Sequence, residues 1–350
     1  MRNLTLVLVA ALVAGACAPA ATAPAATAAT AATATTATAA PTATPLVPIK
    51  VRIIWTAASG AAAGTWTAEA GGYYKDEGLD AELINIPSSS RSITAMIAKE
   101  AEFGHVDPSN LVESDVAGAD VKAIVAITNN LVFSLITTTK INTLADLKGK
   151  NIGITRLGSS THTAALQALR KANVDPKDVT FIQLGEVPAI LAAMVAGQID
   201  AGTVSPPTNT RAKGLGFKEM LNLAIDGPEY PSVAIGASSA YLAANPEAAR
   251  RFVRAYSRGV QRFVTDKAFG MKALNDHLKL TDNAVLEDTW TQYAKYLVRI
   301  PYVSAKGMEQ VISEFAETNV KAKGTKSEAY IDSSFVKALE DQGFYKKLYP

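Results

Sequence analysis

The chain has 350 residues, with 34 Lys and Arg against 32 Asp and Glu, a formal net charge of +2 and a single cysteine. Near-balanced charge without a basic stripe interleaved with aromatics excludes nucleic acid as a partner, and one cysteine excludes an intrachain disulfide. Setting aside the low-complexity N-terminal stretch leaves about 300 residues, enough for two lobes with sizeable cores.

Met1-Arg2-Asn3 supplies one positive charge, Leu4 to Val13 is apolar, and Ala14-Gly15-Ala16-Cys17 follows. This is the layout of a secretory signal over residues 1–17, too short to span a bilayer as a mature helix. Small residues before a lone cysteine are similar to a bacterial lipobox, in which Cys17 becomes the lipidated first residue. Ala14 stands where leucine is usual, and ordinary cleavage at an Ala-x-Ala site near Ala16 is the alternative. Residues 18–48 are almost wholly Ala, Thr and Pro, with no large side chain before Leu46. Such a segment buries too little to offset its ordering and reads as a tether. The expectation is an extracytoplasmic protein held to a bacterial membrane through a lipid on Cys17. No later apolar run is long enough to cross a membrane.

Strands and helices then alternate. Val51–Trp55 reads as a strand closed by Thr56-Ala57-Ala58-Ser59-Gly60, followed by a helix running to Tyr73–Gly78. Leu83–Ile86 is a second strand, and Pro87-Ser88-Ser89-Ser90 opens a helix carrying Ile93, Met96 and Ile97. Glu102–Val106 is a third, leading into the polar turn Asp107-Pro108-Ser109-Asn110, and Ala123–Ile127 a fourth. This alternation predicts a parallel sheet with covered faces. Ligands of such sheets lie beyond the carboxyl ends of the strands, where these polar turns fall.

Phe133–Thr138 predicts a crossing into a second lobe, and Leu144–Gly149 a turn of helix. The central stretch follows: Ile152 and Ile154 form a short strand, Gly158 permits a turn, and Ser159, Ser160 or Thr161 caps the next helix. Ala165, Leu166, Leu169 and Ala172 recur there at helical spacing. The N–H groups of a helix start suit an anion or polar oxygen, and a capped turn without a ligand reads equally well. Val179–Leu184 is another strand. Pro188 begins a helix with Ile190, Leu191, Met194 and Val195 inward and Gly197 at its end. Ile199–Val204 precedes Ser205-Pro206-Pro207, and Val233–Ile235 predicts the return crossing. Beyond it the chain reads as helical: Asn245-Pro246-Glu247 caps a stripe of Phe252, Val253, Tyr256, Val260, Phe263 and Val264, and Ser304 opens one with Met308, Val311, Ile312 and Phe315. These stripes read as core.

Four segments jointly carry a family resemblance: Glu69 to Asp80, Asp146 to Gly153, Gly158 to His162, and Met194 to Ala201. In this order across Pro48–Pro350 the sequence resembles the periplasmic substrate-binding proteins of ABC importers, in the nitrate/sulfonate/taurine and thiamine-precursor branch. The resemblance implies an α/β, two-lobe type II binding protein, each lobe a mainly parallel sheet flanked by helices. Residues 48–135 and 236–350 would form lobe I and residues 136–235 lobe II, with hinge crossings at both ends. It implies a monomer that closes on one small molecule, a sulfonate, nitrate or related organic ligand, and delivers it to a permease and its ATPase. Neutral heterocycles are also ligands in the branch.

Candidate ligand residues are the helix start Ser159, Ser160, Thr161 and His162 of lobe II as the principal anchor, with strand ends on the cleft side: Ser59, Ser88, Ser89 and Asn110 from lobe I and Ser205 from lobe II. Arg91 is a possible cation but fits a solvent-facing helix position, and Trp55 or Trp66 could stack a ring, although Trp66 fits a core. No phosphate loop, His-Glu-x-x-His or Gly-x-Ser-x-Gly motif is present. His105, His162 and His277 lack metal-ligand spacing, so neither metal nor cofactor is expected. His105 reads as a strand residue and His277 as a helix residue without partners. Asp107 and Glu186 would form an acid/base pair only if the lobes brought them together. Glu186 also suits a helix start and Asp107 its own turn. The alternatives are a sensing module for a membrane receptor, and an enzyme on this fold, such as a pyrimidine-precursor synthase or a chorismate dehydratase. The synthases rely on a cysteine-rich segment, which this chain lacks.

Overall fold

The structure, a computed structural model, describes residues 47–317 and 319–350. The signal, Cys17 and the tether through residue 46 lie outside the described residues. The folded unit holds two five-stranded sheets.

The first sheet begins with β1 (Ile49–Trp55), and the polypeptide continues through α1 (Ala63–Ala70) and α2 (Tyr73–Asp76) to β2 (Leu79–Asn85). Next come α3 (Ser89–Ile97), β3 (Phe103–Val106), α4 (Pro108–Val116) and β4 (Val121–Asn130). The turn expected at Asp107–Asn110 is thus the start of a helix. Asp107 occupies its N-cap and Pro108 its first turn, where a missing N–H costs nothing.

Only three residues separate β4 from β5 (Ser134–Thr137), which already belongs to the second sheet. That sheet is completed by β6 (Asn151–Ile154), α5 (Ser160–Ala172), β7 (Thr180–Gln183), α6 (Val187–Val195), β8 (Ala201–Val204), α7 (Thr208–Gly214) and β9 (Lys218–Asn222). After α8 (Leu223–Asp226), β10 (Glu229–Ser238) returns to the first sheet. The return crossing expected at Val233–Ile235 is therefore corrected. Val233, Ala234 and Ile235 lie inside β10, paired with Thr128, Ala126 and Val125. The break falls earlier, at Gly227-Pro228, where neither residue continues α8 or joins the ladder.

The sheet orders are β2-β1-β3-β10-β4 and β7-β6-β8-β5-β9. The sheets are mixed. β10 runs antiparallel to β3 and β4, and β5 antiparallel to β8 and β9, while the other pairings are parallel. The reversed strands are the two that follow a crossing. β5 enters its sheet directly from the other lobe and β10 after only the four-residue α8, so neither follows the long crossover connection that a parallel neighbour requires.

The rest of the chain is helical: α9 (Ser239–Ala244), α10 (Pro246–Thr265), α11 (Lys267–Leu278), α12 (Asn283–Tyr296), α13 (Ala305–Ala316), α14 (Ser334–Asp341) and α15 (Phe344–Leu348). α10 buries Phe252, Val253, Tyr256, Val260 and Phe263 against α1 and the first sheet, with Phe252 stacked on Phe103 at 4.0 Å. Asn245 precedes it without capping through its side chain, which instead donates to the Tyr241 carbonyl. α1 and α10 approach so closely at Gly64 and Gly259 that a Cβ on Gly259 would lie 2.5 Å from the Gly64 carbonyl oxygen. A second core runs from Ile93, Met96 and Val106 through Leu131, Leu135 and Tyr230 at the crossings. It continues to Ile152, Ala165 and Leu169 of the second lobe and Val311 of α13. The lobes are thus fused by packing at their crossings and meet through polar groups across the cleft.

Candidate ligand-binding site

Between the lobes lies a cavity of about 220 Å³ lined by turns from both. Its second-lobe wall is the loop from β6 to α5. Gly158 sits there at φ +78, which a side chain would strain. Ser159 caps α5 by accepting from the His162 N–H and donating to the Arg156 carbonyl at 2.7 Å. The hydroxyls of Thr155, Ser159 and Thr161 close a triangle with sides of 2.9, 2.8 and 2.8 Å, and Thr161 Oγ1 also accepts from the Thr155 N–H. These hydroxyls fix the turn.

Of the residues expected to meet a ligand, Ser59, Ser88, Ser89 and Ser205 line the cavity, as do Ser159, Ser160 and Thr161. Several are half committed. Ser59 Oγ accepts from the Ala61 N–H at 3.3 Å, Ser88 Oγ from that of Arg91 at 3.3 Å, and Ser89 Oγ from that of Asp107 at 2.7 Å. Each keeps its own O–H to donate.

Asn110 and His162 do not line the cavity. Asn110 Nδ2 donates to Glu113 Oε2 at 3.1 Å and to the Gly158 carbonyl at 3.4 Å, where Ser109 Oγ also donates. It joins the lobes at the edge of the cleft. The His162 ring turns back on its own loop: Nδ1 accepts from the Gly158 N–H at 3.1 Å, and the ring meets Phe181 edge-on at 4.8 Å. Burial lowers its pKa, so the ring is neutral, with Nδ1 as the acceptor and the proton on Nε2. Trp66 is fully buried and stacks on His277 at 4.3 Å, with Trp55 edge-on to it at 5.2 Å. His277 therefore has a partner, and neither tryptophan reaches the cavity. His105 is buried with Nε2 3.1 Å from Thr65 Oγ1, and burial lowers its pKa to about 3. Arg91 is exposed on α3. Among the described residues, no group of three or more His, Cys, Asp or Glu is arranged to hold a metal ion.

Sequence reasoning missed Tyr293. It comes from α12, and its hydroxyl meets Ser59 of one lobe and Ser205 of the other, with burial pushing its pKa up to about 12. Asp107 and Glu186 do line one cavity. Asp107 interacts across the cleft with the hydroxyl and N–H of Ser160. Burial pushes its pKa up to about 6, against those hydrogen bonds and the Arg156 charge. Further bridges close the cleft: Arg156 Nη2 donates to the Pro87 carbonyl at 2.7 Å, Asn209 Nδ2 to Gln292 Oε1 at 3.3 Å, and Thr210 Oγ1 to Asp288.

Two mixed sheets flanked by helices, joined by two crossings and enclosing a cavity, define the periplasmic binding protein fold. The alkanesulfonate-binding protein SsuA of Xanthomonas axonopodis pv. citri, solved bound to MOPS, superposes with a TM-score of 0.67 at 20% identity. The match covers 83% of this chain and 97% of that one. The chain belongs to the NMT1/THI5-like family, which matches residues 60–267. A Brachyspira hyodysenteriae protein, provisionally named an ABC transporter periplasmic binding protein, is 35% identical over 92 residues, covering 26% of each chain. The riboflavin-binding protein RibY of Chloroflexus aurantiacus is 28% identical over 216 residues, covering 59% of this chain and 60% of its own. The matches therefore span less than two thirds of these two relatives.

Proposed function

We propose that this protein is an extracytoplasmic solute-binding protein, not an enzyme, that captures one small organic molecule between its lobes. It then presents the closed form to an ABC permease driven by its ATPase. The carrying observation is the cavity itself, bounded by first-lobe turns at Ser59, Ser88 and Ser89 and by second-lobe turns at Ser159–Thr161 and Ser205. A cavity split between two bodies ties binding to closure, because a ligand touching both walls favours the closed state over the open one. The related and structurally similar proteins named for an alkanesulfonate and for riboflavin frame the range of solutes to screen. Lobe I is about residues 48–133 and 227–350, and lobe II about residues 134–226. The protein works as a monomer, tethered to the membrane by a lipid on Cys17.

The test is a thermal-shift screen of sulfonates, nitrate, carboxylates, pyrimidines and flavins, since a ligand of the native state raises apparent stability. Each hit is then followed by small-angle scattering. Binding with compaction is expected; binding without compaction, or turnover of a hit into product, rejects capture. Cys17→Ser should release the protein from the membrane fraction, and retention of that variant with no acyl chain on the wild type rejects the anchor.

A further inference from the structure

Among the lining side chains of the described residues, only Asp107, Arg156 and Glu186 carry charge. Arg156 is exposed and engaged with the Pro87 carbonyl, and Glu186 is exposed. Asp107 alone is set into the wall, and its position carries the argument. The first turn of α5 offers N–H groups that would ordinarily receive an anionic ligand. Here a carboxyl from the opposite lobe meets the N–H and hydroxyl of Ser160 at that turn. The Asp107 backbone is itself held by Ser89, whose Oγ accepts its N–H at 2.7 Å. A carboxylate has about four lone-pair sites, and Ser160 engages only part of them. The wall therefore presents a fixed acceptor where a bare helix start would present donors.

We propose, building on the capture reading above, that Asp107 is the specificity-determining residue of the cleft, selecting a solute that brings an N–H donor to this wall and rejecting a free oxyanion there. The donor is a protonated amine, an amidine or a ring N–H. The surrounding serines and threonines do not make this choice, because a hydroxyl rotates to donate or accept. An oxyanion beside Asp107 would place two negative groups together in a poorly solvated space, whereas an N–H makes a charge-assisted hydrogen bond. With its pKa pushed up to about 6, the carboxyl is ionised at neutral pH but held there at a cost that a donating ligand offsets.

The test uses the mature chain and matched probes: benzamidine and 4-aminopyrimidine against benzenesulfonate and nitrate, by calorimetry at neutral pH. The nitrogen probes should bind wild type more tightly than the oxyanions, and Asp107→Asn should weaken them by about tenfold or more, the worth of a hydrogen bond to a charged group. Asp107→Ser, smaller and hydroxylated like its neighbours, gives a second folded variant and should lose the same preference. Tighter binding of either oxyanion by wild type, no binding of either nitrogen probe, or unchanged affinity in both variants overturns the assignment. Scattering on the same samples separates the two readings. Binding without compaction defeats capture, whereas compaction of wild type with unchanged affinities in both variants defeats this proposal alone.

Discussion

Ser159 and Ser160 are adjacent, yet their removal should have different consequences. Ser159 caps α5 and joins the hydroxyl triangle, so Ser159→Ala should cost about 1 kcal/mol of folding stability, read from urea melts. Ser160 is the first helical residue, after an extended Ser159, which is a place that accepts proline. Ser160→Pro should therefore fold with α5 intact while deleting the N–H and hydroxyl that favour ionised Asp107, so the Asp107 pKa should rise further. Carboxyl NMR titration checks this, and an unshifted Asp107 would contradict the contact. The two buried titrating groups pull acid stability in opposite directions. His105, lowered from 6.5 to about 3, contributes stability that is present above pH 6.5 and lost as pH falls toward 3. Asp107, raised from 3.8 to about 6, contributes stability that is present below 3.8 and lost as pH rises through 6. His105→Gln keeps a partner for Thr65 and removes the first effect, so stability should fall less steeply than wild type between pH 6.5 and 3. An unchanged pH profile in denaturant melts would show that His105 is not the group responsible.

At the scale of elements, the helix pair α1–α10 depends on the absence of side chains at its crossing. Gly259→Ala sets a Cβ against the backbone of Gly64 and Ala68, neither of which can turn aside, and should cost about 1–3 kcal/mol. A denaturant midpoint equal to wild type would mean the helices separate freely. Much of the element order was legible because the signals are local. Ser88, Ser159 and Ser304 each cap the helix that follows, and the stripe from Phe252 to Phe263 repeats with the helical period. What escaped depends on distant chain. Asp107-Pro108 reads equally as a turn or as a helix start, and Val233–Ile235 reads as a strand whichever sheet it joins. The serines at the strand ends line the cavity, but whether an oxygen points at the cavity, a cap or the other lobe is settled only when the lobes meet. Asn110 and His162 lie outside the cavity lining for that reason, and Tyr293 was hidden because its partners, Ser59 and Ser205, lie far away in sequence.

For the whole molecule, closure balances a fused core at the crossings against a small set of polar bridges at the mouth. Each such hydrogen bond is worth about 0.5–1.5 kcal/mol net. Arg156→Ala with Asn110→Ala removes bridges from Pro87 and Gly158 and leaves the cavity hydroxyls in place. The ligand-free double variant should scatter as a more open particle than wild type, and an identical profile would place the closing energy elsewhere. The paired strands at the crossings have a genealogical consequence. Asn130 and Glu229, the last residue of β4 and the first of β10, face each other as ladder partners, and the pairing continues to Val121 and Ser238. The second lobe therefore leaves and re-enters its host through one doorway, as an inserted module does. Replacing residues 131–228 by a tight turn would turn β4 and β10 into an ordinary hairpin and take only Val132 and Ala224 from the buried core around Phe103, Phe252 and Tyr256. The shortened chain should keep its far-ultraviolet dichroism but self-associate on a sizing column, through the apolar surface that the second lobe's part of the shared core now covers. If it is instead unstructured, the host lobe never had an independent existence.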